Sequence, residues 1–397
     1  MSRPIRLLLV TKSTGGVESY VRTLVRGLDR QRYDITVACL SENGQAFAAE
    51  LRQIDGVQAF SLAMNRYKVN PLTDARVGYE LFRHIRKNQY DIIHAHASKP
   101  GFLTRLAALG ASIPVLYSPH NFAFHEGSNP SAAFIVAQLE RLAALFTTRI
   151  IAVAHHEREL ALKYRVGSSS LYQVVHTGIN PSPFRMDVDV SALKGPLGIP
   201  LDAPIVGSVG RLAAPKLPLD FLYAAARIHK EMPGVHFVWA GSGPLEVQAK
   251  TMTSSLGLDD VIHWLGERSD VPALLHTFNC LVLPSKWEGF PLVILEAFAS
   301  GVPVVATNNL GARELIETGR NGWLVPTGDI ESLAQCILNV FATPSLAADV
   351  SNAAQKLIDN EYTLEKMISA LEHIYETEVR KLINADLASK VSENHLQ

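Results

Sequence analysis

The stretch LVLPSKWEGFPLVILEAFASGVPVVA, Leu281–Ala306, holds a complete strand–helix–strand unit. Leu281–Pro284 is a short apolar run with the length of a buried strand. A polar loop follows, and Pro291 suits the first turn of a helix over Leu292–Ala299 because it lacks the amide that a helix start leaves unpaired anyway. Val302–Ala306 is β-branched and again reads as a strand. Strands joined through a helix run parallel, so this stretch alone points to an α/β sheet with helices packed on it.

The same alternation extends outward. Upstream lie strands at Ile205–Val209, Val235–Ala240 and Val261–Leu265, with helices at Leu219–His229 and near Leu245–Ser255 and Val271–His276. Downstream are helices at Glu331–Phe341 and Leu346–Ile358, then a long one at Thr363–Ile383. The first half repeats the pattern with strands at Ile5–Val10, Asp34–Leu40, Asp91–Ala95, Val115–Ser118, Ile150–Val153 and Leu171–His176. Its helices are Val17–Leu28, Leu72–Asn88, Gly101–Leu109 and Ala132–Phe146. Between the halves, Thr177–Pro200 carries four prolines and reads as a linker. We expect a Rossmann-like domain over 1–178, a linker over 179–197 and a second Rossmann-like domain over 198–362. A C-terminal helix over 363–383 should pack back on the first domain, leaving a frayed tail over 384–397.

Composition supports two ordinary cores. The chain has 397 residues, 47% hydrophobic and 19% charged, which excludes a disordered protein. Cys39, Cys280 and Cys336 fit neither a zinc site nor a disulfide framework and read as buried apolar residues in a reducing compartment. The Ile5–Val10 run is too short for a signal-peptide core, and no apolar run reaches the length of a membrane span. A cytoplasmic protein is expected. The net charge of −1 divides unevenly, +8 over residues 1–180 and −9 over the rest. The positive half, with Arg76, Arg83, Arg86 and Lys87 on one helix, suggests peripheral association with an anionic membrane at its inner face; a merely solvated face is the alternative.

The ligands of parallel sheets bind at the carboxyl ends of the strands. Two carboxylates stand eight residues apart there, Glu288 in a loop and Glu296 inside the following helix. Free amides near Leu292 and Val293, with the helix dipole, make an anion site suited to a diphosphate. Glu296 is placed to accept from ribose hydroxyls and Glu288 from those of a sugar beyond the phosphates. A capping Glu and a surface Glu are the plain alternative. Arg211 and Lys216, at the carboxyl end of the strand Ile205–Val209, could clamp a leaving diphosphate as a metal does elsewhere, or belong to a solvated loop.

Several motifs occur in one order: Gly210-Arg211 with Lys216, Gly241–Pro244, His263-Trp264-Leu265-Gly266, Glu288-x7-Glu296 and Gly301–Thr307. The first half adds Thr14-Gly15-Gly16-Val17-Glu18, Asp91–His96, Ser118-Pro119-His120-Asn121 and His176–Asn180. Over roughly 5–375 the chain resembles the retaining glycosyltransferases of the GT-B fold, often called family 4. The resemblance implies an α/β, GT-B architecture of two Rossmann-like domains whose parallel sheets face across a cleft. It implies transfer of a sugar from a nucleotide-diphosphate donor, with UDP the commonest base carrier, to a glycan or lipid-linked acceptor in polysaccharide or glycoconjugate synthesis.

Carried over by position, Arg211 and Lys216 hold the diphosphate, Glu296 the ribose and Glu288 the transferred sugar. The backbone near Glu267 and Arg268 frames the base. Gly15, Gly16, Gly289, Phe290, Pro291, Leu292 and Val293 complete the donor-contacting set, and His120 touches the sugar from the acceptor side. Leu217 and Pro291 depart from the family, which often has glycine at the first position and in some members at the second.

No metal, cofactor or nucleic-acid partner is expected. His94, His96, His120 and His125 could suggest a metal, but no carboxylate or cysteine joins them at ligand spacing. Asp187-Val188-Asp189 mimics a metal motif yet sits in the linker. A nucleotide-sugar epimerase or hydrolase of the same fold, or a non-enzymatic sugar-nucleotide binding protein, are the rival readings.

Overall fold

The structure, a computed structural model, describes residues 3–13, 15–42, 44–65, 70–124 and 128–394. Thr14 and His125 lie outside them. Two compact units are present, Met1–Thr177 with Leu364–Gln397, and Gly178–Thr363.

In the first unit the chain runs β1 (Ile5–Thr11), α1 (Gly15–Gly27), β2 (Tyr33–Leu40), α2 (Gly44–Leu51), β3 (Val57–Leu62), α3 (Pro71–Lys87), β4 (Ile92–His96), α4 (Ser98–Ala107), β5 (Val115–Ser118), α5 (Pro130–Ala144), β6 (Arg149–Ala152), α6 (His155–Lys163) and β7 (Tyr172–Val174). The sheet order is β3-β2-β1-β4-β5-β6-β7, and every pair is parallel. The chain moves outward from β1 in one direction, then returns to place β4 on its other side. That reversal opens a crevice at the carboxyl ends of β1 and β4.

The second unit begins with a short helix, α7 (Val190–Lys194), inside the expected linker. It continues β8 (Ile205–Val209), α8 (Pro218–Glu231), β9 (His236–Ala240), α9 (Glu246–Ser255), β10 (Ile262–Gly266), α10 (Val271–Leu275), β11 (Cys280–Leu283), α11 (Leu292–Ala299), β12 (Val304–Thr307), α12 (Leu310–Leu315), β13 (Trp323–Val325), α13 (Ile330–Ala342) and α14 (Pro344–Glu361). Its sheet order, β10-β9-β8-β11-β12-β13, is again wholly parallel and reverses between β8 and β11. Arg211, Lys216 and Glu288 all follow these two strands.

The last helix, α15, spans Leu364–Asn394, so residues 384–394 are helix rather than the expected tail. It belongs to the first unit, where Met367, Ile368, Leu371, Ile374, Tyr375 and Val379 enter the core beside β1, β2 and α1. Gly27 makes the approach possible, since a Cβ there would stand 2.9 Å from Ile368. Arg32 pairs with Glu372 and Glu376, and Arg149 with Glu378.

The sequence pattern passes over α2, β3, α6, α12 and β13. β3 and β13 are edge strands with one residue in six and one in three buried, so neither is held inside along its length. Cys39 and Cys280 are buried and Cys336 is half-buried. Burial holds their thiols up, to about 12 at Cys39 and about 11 at Cys336, where they are inert at neutral pH. No single helix among the described residues is long and apolar enough to cross a membrane.

Candidate active site

At the switch point of the first sheet, β1 gives way to Gly15, which opens α1 in the left-handed region with φ +62°. A Cβ on Gly15 or Gly16 would meet nothing within 4 Å, so the space before them is free for a ligand. Past β5, His120 and Asn121 both take positive φ, +52° and +88°. Such a pair of non-glycine residues needs an external hold. Glu157 supplies it: its carboxylate accepts from the Asn121 amide at 2.5 Å and from the Val153 amide at 2.8 Å.

His120 stands on a stack of other side chains. Its Nε2 shares a hydrogen bond of 3.0 Å with Nδ1 of His96, and Tyr20 meets it edge-on at 4.5 Å. Beneath, His94 is held between the Tyr375 hydroxyl at 2.7 Å and the Ser118 hydroxyl at 2.9 Å. Burial pushes His94 and His120 down to about 3 and His96 well below its ordinary value. These imidazoles are neutral at physiological pH. The bond to His96 leaves Nδ1 of His120 for a ligand. A cavity of about 540 Å³ opens beside it, lined by Lys12, Ala97, Phe102, Leu103, Val136 and Leu139 among others.

At the switch point of the second sheet, two loops lie backbone against backbone. A Cβ at Gly241 would fall 2.1 Å from the Gly210 carbonyl oxygen, and one at Gly243 2.3 Å from that of Leu212. The Gly-Ser-Gly-Pro turn is thus required for β8 and β9 to end side by side, and it fixes the path of Arg211. That residue is exposed, and its guanidinium has no hydrogen-bond or ion-pair partner among the described residues. Lys216 and Glu288, expected to take separate parts of a ligand, instead pair with each other, Nζ to Oε1 at 2.5 Å. Ser285 donates to the same carboxylate oxygen at 2.5 Å.

Pro291 caps α11 from outside with φ −78° and ψ 93°, one residue ahead of the first turn where the sequence places it. Its carbonyl accepts from the Ile294 amide at 3.0 Å, and the amides of Leu292 and Val293 have no backbone partner among the described residues. Glu296, half-buried one turn further, makes no ion pair among the described residues, and burial raises its carboxyl to about 7. Glu267 and Arg268 follow β10, both exposed; the Arg268 guanidinium is committed to Asp270 through two bonds. Gly289 and Phe290 lie between Glu288 and Pro291, half-buried.

Sequence reasoning missed the supports. Thr307, the last residue of β12, and Asn309, just beyond it, both donate to the Ser285 carbonyl, and Asn309 also caps α12. An Asn just before a helix was the available signal. Tyr20 and Glu157 carry no signal of their own, since their role depends on contacts distant in sequence; His96 lies in the Asp91–His96 motif, but its bond to His120 depends on such a contact too. Asp189, in the metal-like Asp-x-Asp, caps α7 instead.

Two family models cover most of the chain. "Glycosyltransferase Family 4" matches residues 14–183 and "Glycosyl transferases group 1" matches 189–357. The chain belongs to the group 1 glycosyltransferases. This glycosyltransferase is 29% identical over 353 residues, 88% of its length and 90% of the other's, to the Escherichia coli UDP-Gal:alpha-D-GlcNAc-diphosphoundecaprenol alpha-1,3-galactosyltransferase. It is 29% identical over 290 residues to the D-inositol 3-phosphate glycosyltransferase of Streptomyces avermitilis, covering 68% of this chain and 62% of that one. Among solved structures, HepE of Anabaena in complex with UDP-glucose superimposes with a TM-score of 0.80 at 22% identity, over 94% of this chain and all of the other. The sucrose-phosphate synthase of Thermosynechococcus elongatus gives 0.80 at 20% identity, over 96% and 100%. The fold is therefore GT-B.

In this glycosyltransferase the second switch point gathers two cations, two unpaired amides at a helix start and two carboxylates. That set can take a diphosphate and hydroxyl-bearing groups on either side of it. The first switch point offers a neutral imidazole in a fixed orientation beside an apolar cavity.

Proposed function

We propose that this chain transfers a sugar from a UDP-sugar to a lipid-linked or glycan acceptor, with retention of anomeric configuration and without a divalent metal. The observation that carries this reading is the convergence of Arg211, Lys216 and the α11 amides after β8 and β11. A departing nucleoside diphosphate needs about two negative charges balanced, by a metal or by fixed cations. Here Arg211 and Lys216 meet the phosphates, Glu296 the ribose hydroxyls and Glu288 the hydroxyls of the sugar. Donor binding then trades the Lys216–Glu288 pair for one bond from each partner to the ligand. Gly15, Gly16 and the backbone at Glu267 and Arg268 complete the donor's surroundings, and Nδ1 of His120 meets the sugar.

The sugar–phosphate bond breaks as the diphosphate takes the electron pair. The same phosphate oxygen accepts the proton of the acceptor hydroxyl, which bonds to the anomeric carbon from the face just vacated. The relative that acts on a diphosphoundecaprenol-linked sugar supports a lipid-linked acceptor. Arg76, Arg83, Arg86 and Lys87, all exposed on α3, support peripheral docking on an anionic membrane at its cytoplasmic face.

The test is to screen UDP-sugars, then measure initial rates with and without EDTA and the anomeric coupling of the product by NMR. Transfer that survives the chelator and keeps the donor's configuration is expected. Activity lost in EDTA and restored by manganese would overturn the metal-free reading, and an inverted product the retaining one. Turnover of the donor alone, unchanged by acceptor, would favour a hydrolase or epimerase.

A further inference from the structure

A helix covering a sheet normally turns its large apolar residues inward. α5 does the reverse. Its buried positions are Ala133, Ala137, Glu140, Ala143 and Ala144, with Glu140 paired to the equally buried Arg105 at 2.7 Å. Its large apolar residues point out: Phe134 and Ile135 are 61% and 60% exposed, and Leu139 and Leu142 are 43% and 49% exposed. Leu145, just past its end, is 76% exposed. Small side chains and the Glu140–Arg105 pair make the inward packing of the helix, and the outer leucines, isoleucine and phenylalanine are left largely to solvent. Scattered apolar residues on a surface need no explanation, but a contiguous row on one helix marks a binding face.

The row has a charged margin. α4 lies beside α5 and extends the apolar surface with Leu106 and Leu109, both exposed. There the Arg86 guanidinium of α3 donates to the Leu109 carbonyl at 2.8 Å, with exposed Arg83 on the same helix. An apolar centre with cations at its edge matches the section through a bilayer of anionic lipid, where acyl chains lie below phosphate. The face also leads to the active site. Leu139 is both exposed on it and part of the cavity wall beside His120.

We propose that the outer face of α5, continued by Leu106 and Leu109, inserts into the surface of an anionic lipid bilayer. The cavity wall at Leu139 then meets the apolar part of a lipid-linked acceptor without that substrate leaving the membrane. This last clause rests on the lipid-linked reading of the acceptor; the insertion itself does not. Insertion differs in kind from docking through the α3 cations, because burial of apolar side chains is not screened by salt.

The test uses the full chain and vesicles of phosphatidylethanolamine with phosphatidylglycerol. Ile135→Ser, Leu142→Ser and Leu145→Ser are combined in one variant; all three are exposed and outside the cavity wall, and unchanged thermal unfolding verifies the fold. Wild type is expected to retain much of its vesicle binding at high salt. The triple variant should lose at least about tenfold in partition at any salt. It should transfer normally to a water-soluble short-chain acceptor but at least about tenfold more slowly to a lipid-linked acceptor held in vesicles. Equal partition of variant and wild type would overturn the proposal. So would a wild-type dimer that the variant converts to monomer, since a second copy would then cover this face. Wild type that transfers to neither acceptor would defeat the functional reading, and vesicle partition would still decide the insertion.

Discussion

At the switch point of the first sheet the group offered beside the cavity is a neutral imidazole, His120 on His96 and Tyr20, and the cavity wall is mostly apolar, with Lys12, Lys99, Asp74 and Glu140 as its charged members. At the switch point of the second the groups offered are charged or chargeable: Arg211, Lys216, Glu288 and Glu296. The backbones are alike, parallel sheets whose strand order reverses beside a glycine-bearing loop, so the difference is one of chemistry laid on the same geometry. A neutral edge can orient a hydroxyl without competing for a phosphate. A charged edge can hold a leaving diphosphate but needs its own charges quenched meanwhile, which the Lys216–Glu288 pair does. The two edges thus differ in where burial has removed charge from the side chains and where it has not.

The largest expected effect tests the charged edge. Arg211→Ala and Lys216→Ala should each slow transfer by about 10²–10³, the scale of one lost donor to a developing oxyanion. The Lys216 variant also leaves Glu288 without its cation beside the donor, so it should raise the donor KM as well. Initial rates with folded variants, verified by circular dichroism, check this. Near-normal turnover in both would break the contrast between the two edges.

The two edges also differ in how legible they are in the sequence. Arg211, Lys216, Glu288 and Glu296 sit at fixed short spacings on a strand–loop–helix pattern, and the structure places them beside β8 and β11 as that pattern requires. Their mutual pairing was not legible, because Lys216 and Glu288 lie far apart in the chain. At the neutral edge Gly15, Gly16, His96 and His120 carry local motifs, but the residues that hold them do not. Glu157, which holds its loop, reads as an ordinary acidic residue in a short helix, and Tyr375, which holds His94, comes from the final helix. Parallel alternation was readable wherever a strand is fully buried; β3 and β13, at sheet edges, were not. The inverted helix α5 was read as a helix from its apolar content, but which side faces the sheet depends on Glu140 meeting Arg105.

A second, smaller effect comes from pH. Burial raises the Glu296 carboxyl to about 7, so its ionised fraction climbs from roughly a tenth at pH 6 to roughly nine-tenths at pH 8. Ribose hydroxyls bond more strongly to the ionised form. The donor KM should therefore fall by up to about tenfold between pH 6 and pH 8, and Glu296→Gln should flatten the profile. The sign for stability is opposite. A carboxyl whose folded value lies above its ordinary 4.5 favours the folded state while protonated. Glu296 should therefore subtract stability as pH rises from 4.5 to about 7, so ligand-free wild type should fall relative to the Gln variant over that range; buried His94, His96 and His120, held below their ordinary 6.5, act in the opposite sense in both proteins. His120, held near 3, should contribute nothing to the donor KM profile above pH 5, while its contribution to stability grows with pH up to its ordinary 6.5. An inflection near pH 6 that vanished in His120→Gln would show that the first edge carries charge after all.

The smallest effect concerns backbone strain, which both edges contain. At the neutral edge Asn121 takes φ +88°, which asparagine tolerates, and Glu157 binds its amide. At the charged edge Leu217 takes φ +47° and ψ 54° with no such help, just before Pro218 opens α8. The turn Ala214–Lys216 must end there for the chain to enter α8, and the Leu217 carbonyl accepts from the amides of Asp220 and Phe221. Left-handed backbone costs a leucine about 1–2 kcal/mol, while glycine adopts it freely. Leu217→Gly removes that cost but also gives up a half-buried side chain and adds freedom to the unfolded chain, each about 1 kcal/mol, so its net change should be near zero. Leu217→Ala loses the side chain and keeps the strain. The glycine variant should therefore be more stable than the alanine variant by about 1 kcal/mol, the reverse of their usual order, measured by denaturant midpoint at constant slope. Donor KM should stay close to wild type in the glycine variant, because Lys216 keeps its place. An alanine variant as stable as the glycine one would mean that the loop relaxes out of the left-handed region, and that the charged edge is held less rigidly than its pairing with Glu288 implies.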